Sequence, residues 1–336
     1  MADGNERTTI FGTSYFGVRD PEHVCRDLDR FAKSGLGGIL HTFSERDQRY
    51  YGGTMADVVE ASRDRNFTVF VNPWGVGRVF GGEALSEFTS RFPDSCQLLS
   101  NERRAPAACF NAPAFRDFMA GWIEDAVATG ADYIFWDEPH WYTPEWRGDN
   151  STEDAWTCRC DFCREEYRMA HGEPLPEELN DRVLEFRSAV LIDFLNEMTR
   201  RTTEAGAGNF LCVQPGSDLA RSLNQEELPS ISNLDGLAVT PFWELHGEPV
   251  DLFVKTWSDR ITSAAAAADL KSQIWIQGFH GNQSGFSEQV NKATEAALSF
   301  EPDHVFLWGW DACRVMSSLS PDDPAEVWRA FLSGVT

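Results

Sequence analysis

Lysine is scarce in this chain, which has four lysines among 29 basic residues against 53 acidic residues. The formal net charge is therefore −24 at pH 7. A surface this acidic repels nucleic acid and anionic membranes. The sequence thus predicts neither a nucleic-acid partner nor a membrane partner.

Long apolar stretches and transport signals are also missing. No apolar run approaches the roughly 20 residues of a membrane-spanning helix, and residues 1–7 lack the basic and apolar regions of a signal peptide. We therefore expect a soluble, cytoplasmic protein whose eight cysteines do not form a disulfide framework. The acidic, lysine-poor composition fits a halophilic protein and also an ordinary acidic protein, and both interpretations stay open.

Nucleotide-binding signatures are absent as well. No G-x-G-x-x-G segment follows an apolar run, and no Walker-type loop occurs. The sequence therefore predicts no organic cofactor.

Eight short apolar runs recur along the chain, and most are followed by a segment with helical periodicity. The runs are 8–16, 37–43, 67–73, 132–137, 209–214, 234–241, 273–277 and 304–310. Eight strand-then-helix units predict an α/β fold, a single closed (β/α)8 TIM barrel domain over residues 1–336. The stretches 75–113 and 141–178 predict long loops after strands 3 and 4. Reactive residues of such barrels lie at the C-terminal ends of the strands.

Three cysteines, Cys158, Cys160 and Cys163, fall within six residues. Thiolates at this C-x-C-x-x-C spacing suit one soft divalent metal ion, with zinc the default. A closed tetrahedral site needs a fourth ligand, for which Cys109 is the first candidate and Cys96 the second. Four sulfur ligands leave no position for water, so such a zinc ion would be structural. It would hold the long loop after strand 4 beside the barrel mouth.

The sequence around these cysteines resembles the zinc-containing β-galactosidases of glycoside hydrolase family 42. The family's motifs occur in order: the segment 109–116 (C-F-N-A-P-A-F-R), then Asp137-Glu138 at the end of strand 4, then the cysteine triplet followed by Glu166-Tyr167-Arg168. The resemblance covers about residues 105–170. It implies a barrel glycosidase in which Cys109, Cys158, Cys160 and Cys163 bind structural zinc through an insertion at about residues 142–180.

Two adjacent carboxylates, Asp137 and Glu138, end the fourth apolar run. Glycoside hydrolysis needs two carboxyl groups, one an acid and the other a nucleophile or base. The resemblance places Glu138 at the acid/base position, and its aromatic surroundings would raise its pKa. It places Gln277 where the family has its glutamate nucleophile. A neutral amide cannot attack the anomeric carbon, so the second group must come from elsewhere.

Three interpretations of the second group stay open. In the first, Glu138 is the acid/base and its partner is Glu244, Asp311 or Glu45, which follow strands 6, 8 and 2; we favour Glu244. In the second, Asp137 is the nucleophile and Glu244 the proton donor, as in several α-glycosidase families. In the third, the Asp-Glu pair acts as in hexosaminidase-type barrels, where the substrate's acetamido group is the nucleophile.

Other polar and aromatic residues near the strand ends are candidate contacts for a small carbohydrate. Indole rings stack on sugar C–H faces, and polar side chains bind hydroxyl groups. The candidates are Arg19, His41, Asn72, Trp74, His140, Trp141, Trp243, Gln277, His280, Trp310 and Asp311.

Two other classes of protein fit the same residues. His41, His140 or His280 could bind a catalytic metal ion together with the carboxylates, as in barrel isomerases and epimerases, although no H-x-H or H-x-x-x-H spacing occurs. Alternatively, Gln277 marks a barrel that binds sugar without cleaving it. The family resemblance also leaves a homo-oligomer open.

Overall fold

Eight parallel strands close into a barrel, which confirms the predicted (β/α)8 fold. The computed structural model describes residues 9–143, 155–216, 225–281 and 285–335. The strands are β1 (Ile10–Tyr15), β2 (Gly38–Thr42), β3 (Thr68–Asn72), β4 (Cys96–Leu98), β5 (Arg104–Ala108), β6 (Tyr133–Trp136), β7 (Gly208–Val213), β8 (Gly236–Val239), β9 (Lys271–Gln277) and β10 (His304–Trp308). The strands β4 and β5 form a separate antiparallel pair, and the other eight form the barrel, closed by pairing of β1 with β10.

Ten α-helices accompany the strands in the described parts of the chain. They are α1 (Pro21–Lys33), α2 (Glu45–Arg63), α3 (Phe88–Arg91), α4 (Pro113–Ala128), α5 (Asp161–His171), α6 (Asp181–Ala205), α7 (Trp243–His246), α8 (Val250–Ala267), α9 (Phe286–Leu298) and α10 (Pro324–Leu332). The carboxylates of Asp20 and Asp323 cap α1 and α10, each accepting a backbone N–H at 3.0 Å. None of these helices combines the length and apolar character needed to cross a membrane.

Large aromatic side chains fill the barrel interior and lie against strand glycines. The rings of Phe70, Phe135, Phe210, Trp275 and Phe306 pack together there and are at most 1 % exposed. A Cβ atom added to Gly12 would stand 2.4 Å from Phe306 Cζ and 2.6 Å from Gly38 O. The ring of Phe306 therefore occupies space that any side chain at position 12 would need.

The long loops after β3 and β6 lie against each other. The Leu98 carbonyl accepts a hydrogen bond from Arg159 N–H at 2.8 Å, and Ser100 N–H donates to Trp156 O at the same distance. A single β-bridge pairs Leu99 with Thr157. The described parts of these two loops thus pack together beside the barrel.

Replacing Gly12 with alanine should lower the free energy of unfolding by roughly 1–3 kcal/mol, because the added methyl group overpacks the barrel interior. The matched control is Gly121→Ala in α4, where an added Cβ meets no atom within 4 Å. We expect that control to be neutral or to stabilise by up to about 1 kcal/mol, since alanine favours helix. Denaturant unfolding of both variants measures the contrast, and equal stabilities would contradict the described packing.

Candidate active site

Asp137 and Glu138 directly follow β6, and side chains from neighbouring strands bind their carboxylates. Asn72 Nδ2, at the end of β3, donates to Asp137 Oδ2 at 2.9 Å. Gln214 Nε2, after β7, donates to Glu138 Oε2 at 2.8 Å, and Thr240 Oγ1, after β8, donates to Glu138 Oε1. Parallel strands bring their C-terminal ends together, so four consecutive barrel strands contribute to one polar cluster.

A cavity of about 240 Å³ opens onto these carboxylates. Its walls are largely aromatic and include Phe135, Phe242, Trp275, Phe279 and Trp308. Among the described residues, the carboxylates that line the cavity are Glu83, Asp137 and Glu138. Aromatic walls with a few polar groups suit the C–H faces and hydroxyl groups of a small sugar.

Burial makes both carboxyl groups harder to ionise than they are in water. Burial, and then the charge of neighbouring Glu138, raise the pKa of Asp137 well above its ordinary value, against the hydrogen bond from Asn72. Burial also raises the pKa of Glu138, although the hydrogen bonds from Thr240 and Gln214 lower it. A carboxyl group with a raised pKa retains a proton nearer neutral pH, as a general acid must.

The loop after β3 approaches Asp137 closely. Gly81 N–H donates to Asp137 O at 2.8 Å, and a Cβ atom added to Gly81 would stand 2.9 Å from Asp137 Oδ2. Glu138 has a φ of 46°, in the left-handed region, which costs a non-glycine residue on the order of 1 kcal/mol. The surrounding contacts hold Glu138 in this conformation and thereby aim its carboxylate at Gln214 and Thr240.

Of the predicted substrate contacts, Asn72 and His280 belong to this site and His41 lies elsewhere. Asn72 binds Asp137, and His280 lines the cavity. His41 Nε2 lies 2.8 Å from Ser62 Oγ of α2, and burial lowers the pKa of His41 to about 3. Side chains alternate between the two faces of a strand, so His41 faces the helices while Leu40 fills the barrel.

Glu244 and Gln277 contact each other rather than the cavity. Glu244 N–H donates to Gln277 Oε1 at 3.2 Å, and Gly281 N–H donates to Glu244 Oε2 at 2.9 Å. Nearby Trp243 donates its Nε1–H to Gln289 Oε1 at 2.7 Å and stacks on Phe286. Among the described residues that line the cavity, neither Glu244 nor Trp243 occurs.

The other two acidic candidates have partners outside the cavity. Glu45 is 5 % exposed. Its carboxylate accepts three hydrogen bonds from the loop after β3, from Gly77 N–H, Ser86 Oγ and Phe88 N–H. Asp311 Oδ2 lies 2.7 Å from an Arg314 nitrogen. Glu45 therefore anchors a loop, and Asp311 takes part in an ion pair.

Three more predicted contacts are buried beside the barrel mouth. Trp141 is 1 % exposed, with its ring edge-on to Phe110 and 5.2 Å from the Arg187 guanidinium carbon. His140 Nδ1 lies 2.7 Å from Glu138 O. Trp310 donates its Nε1–H to a backbone carbonyl at 3.3 Å. The last two predicted contacts, Arg19 and Trp74, line a different groove.

Sequence reasoning missed Glu83, Gln214 and Thr240 as residues of this site. Gln214 and Thr240 are polar residues at the ends of apolar runs, which was a usable signal. Glu83 lies in the loop after β3, where no strand or helix periodicity predicts which way its side chain points.

The four cysteines predicted to bind zinc lie together. The sulfur atoms of Cys109, Cys158, Cys160 and Cys163 are all within 4.8 Å of one another and buried. Cys109 Sγ is 3.5 Å from Cys163 Sγ and 3.4 Å from Cys160 Sγ. Cys96, the second candidate for the fourth position, instead contacts backbone carbonyls at 3.6 Å.

Solved structures with similar folds include several glycoside hydrolases. The catalytic domain of β-amylase from Paenibacillus polymyxa has a TM-score of 0.69 and 10 % identity over 98 % of this chain and 99 % of that chain. The endo-1,4-β-mannanase from Rhizomucor miehei has a TM-score of 0.60 and 10 % identity over 97 % of this chain and 94 % of that chain. The PgaB (BpsB) glycoside hydrolase domain from Bordetella bronchiseptica has a TM-score of 0.59 and 12 % identity over 94 % of this chain and 99 % of that chain. At these identities the likeness establishes the TIM-barrel fold. No protein-family model matches the sequence, and no curated protein matches it significantly.

Replacing Asp137 with asparagine should stabilise the protein at neutral pH. Because the pKa of Asp137 is raised in the folded state, the free energy of unfolding of the wild type should fall as pH rises above the ordinary pKa of 3.8. The fall amounts to about 1.4 kcal/mol for each unit by which the folded-state pKa exceeds the unfolded one. Asparagine at position 137 does not ionise, so the free energy of unfolding of the variant should not include this decrease as pH rises.

Denaturant titrations of both proteins at pH 5 and pH 8 measure this difference. Asp57→Asn, on the exposed side of α2, is the control. A pH dependence unchanged in Asp137→Asn relative to the control would show that the Asp137 pKa is not raised.

Proposed function

We propose that the protein is a glycoside hydrolase and that Glu138 is its proton donor. The observation that carries the proposal is the Asp137–Glu138 pair at the C-terminal end of β6, in which Asp137 is buried and Glu138 partly buried, inside an aromatic-walled cavity. Protonated Glu138 would donate its proton to the departing glycosidic oxygen. The resulting carboxylate would be stabilised by the hydrogen bonds from Thr240 and Gln214.

Asp137 is the partner that we propose for Glu138. Its carboxylate lies beside that of Glu138, with one oxygen of each within 4.8 Å, and both line the cavity. Two adjacent carboxyl groups resist ionising together, and in this proposal Glu138 holds the proton that the pair retains. Ionised Asp137 would then either attack the anomeric carbon or orient an acetamido group of the substrate that attacks it. Glu244, which sequence reasoning favoured, lies outside the cavity, so we assign it no part in the reaction.

Similar folds and motifs support a glycosidase. The three solved structures described above are a β-amylase domain, a mannanase and a glycoside hydrolase domain. The resemblance to family 42 around residues 105–170 is a second support, because it aligns Glu138 with the acid/base residue of that family.

A metal-dependent isomerase has less support. Carboxylate oxygens of Asp137 and Glu138 lie near Cys212 Sγ, and this group of three contains no histidine. Of the three proposed histidine ligands, His41 contacts Ser62 of α2, and the described residues that line the cavity include His280 but neither His41 nor His140.

Glu138→Gln should lower kcat/KM by about 10²–10⁴ for an aryl glycoside with a poor leaving group, because such a group needs a proton to depart. The loss should be much smaller for a dinitrophenyl glycoside, whose leaving group needs no proton. Chromogenic α- and β-glycosides, with and without an N-acetyl group and in low and molar salt, provide the assay. A requirement for the N-acetyl group would favour the substrate's acetamido group as nucleophile over Asp137.

The control for this experiment is Glu248→Gln, because Glu248 is exposed and is not among the residues that line the cavity. We expect native rates from the control. If Glu138→Gln lost kcat/KM equally on substrates with good and poor leaving groups, Glu138 would have a structural role. If the variant kept native rates, Glu138 would be excluded from catalysis.

We further propose that Cys109, Cys158, Cys160 and Cys163 bind one structural zinc ion. Tetrahedral zinc with bonds of about 2.3 Å to sulfur sets its ligands about 3.8 Å apart. The sulfur separations of 3.4 and 3.5 Å, within a cluster spanning at most 4.8 Å, fit that donor set after small adjustments. Zinc would cross-link the end of β5 to the start of α5.

The purified protein should contain about one zinc ion per chain, because a site with four thiolates is closed and binds tightly. Cys163→Ser should lower the zinc content below half and the free energy of unfolding by several kcal/mol. Metal analysis and thermal melts measure both quantities. Cys96→Ser, another buried cysteine of the same region, is the matched control. Native protein with less than about half an equivalent of zinc, or equal effects in both variants, would contradict the site.

A further inference from the structure

A second concavity of about 740 Å³ lies beside the catalytic cavity at the barrel mouth. We call it the arginine groove, because Arg19, Arg46, Arg49 and Arg91 line it. Its other charged lining residues are Asp47 and Glu87. Its lining residues include some that follow β1, β2 and β3, so the groove lies at the C-terminal ends of those strands. Part of the loop after β3 separates it from the catalytic cavity.

The wall between the two concavities is one short segment. Gly82 and Glu83 line the catalytic cavity, whereas Ala84 and Trp74 line the arginine groove. Trp74 Nε1–H donates to Glu83 Oε2 at 3.1 Å, and a Cβ atom added to Gly82 would overlap the Trp74 ring. The Trp74 ring thus lies directly against Gly82 and, with Glu83, forms the wall that an oligosaccharide occupying both concavities would cross.

The arginine groove carries charge opposite to that of the whole protein. Arg19 pairs with Asp47 through contacts of 2.8 and 2.9 Å, and Arg49 pairs with Glu87 at 2.8 Å. No carboxylate of the described residues pairs with the exposed side chains of Arg46 and Arg91. The lining therefore has a net charge of +2 in a chain of net charge −24.

Arginine favours one kind of ligand group here. Its planar guanidinium donates paired hydrogen bonds to carboxylates and other oxyanions. Trp74 lines the same groove with a partly exposed indole, which stacks on Phe16 and adds apolar surface suited to sugar C–H groups. The acidic remainder of the surface would repel a long polyanion that extends beyond the groove.

We propose that the arginine groove binds negatively charged sugar units, bearing a carboxylate or a sulfate ester, of an oligosaccharide whose terminal unit occupies the catalytic cavity. The inference rests on the proposed glycosidase function for the role of the cavity, but the groove's affinity for anionic sugars can be measured without turnover.

Calorimetric titration of Glu138→Gln with three tetrasaccharides tests the proposal. Tetragalacturonate carries carboxylates, a carrageenan-derived tetrasaccharide carries sulfate esters, and cellotetraose is neutral. We expect at least one acidic tetrasaccharide to bind about tenfold or more tighter than cellotetraose, with an affinity that falls as salt rises. Which acidic ligand binds identifies the anionic group.

Charge-reversal variants locate the binding. Arg46→Glu and Arg91→Glu should each weaken binding of the acidic ligand about tenfold and leave cellotetraose binding unchanged. The matched control is Arg260→Glu on α8. Like Arg91 beside Phe92, Arg260 stacks on an aromatic ring, that of Trp257, and has no ion pair among the described residues. Melting temperatures of all three variants monitor folding, and Arg46→Gln and Arg91→Gln provide milder changes.

Equal affinity for acidic and neutral ligands would overturn the proposal, as would losses no greater than that of Arg260→Glu. Groove-dependent binding without hydrolysis of any glycoside would instead overturn the proposed glycosidase and leave the anionic binding site in place.

Discussion

The hydrogen bonds from Thr240 and Gln214 to Glu138 are the interaction on which the candidate site depends. An unpaired carboxylate in this partly buried place would destabilise the fold, because burial disfavours the charged form. Each oxygen of Glu138 instead has one donor, and the donors come from the ends of β8 and β7. The closed barrel brings those strand ends to the end of β6, so the geometry of the site is a direct product of strand pairing.

The loop after β3 completes this arrangement from the opposite side. Glu45 accepts three hydrogen bonds from that loop and so ties it to the start of α2. Gly81 then places its backbone against Asp137 without a side chain between them. Further along, the same loop carries Cys109 to the cysteine cluster, where it meets the loop after β6. The loop after β3 is thus held in place by Glu45 near its start and by the cysteine cluster near its end, in addition to its contact with Asp137.

Much of the fold could be predicted because strands buried on both faces must be apolar, and eight such runs stand out in the sequence. The position of Asp137 and Glu138 followed from the same pattern, since residues after a barrel strand reach its mouth. The direction of individual side chains could not be predicted. Neighbouring side chains of a strand point to opposite faces, so His41 faces α2 while Leu40 faces the barrel interior. Trp243 is the first residue of the short helix α7 and packs on Phe286. Glu83 reaches the cavity only through loop contacts that no sequence pattern encodes.

The wall that Trp74 and Gly82 form between the two concavities has a consequence for the order in which products would appear. If the terminal ring of an oligosaccharide lies in the cavity of about 240 Å³ and the next units lie in the arginine groove, the bond beside Glu138 is the one nearest that terminus. Cleavage would then remove one end unit per turnover. Single sugars would accumulate from the first minutes, and each remaining chain would be one unit shorter than its parent.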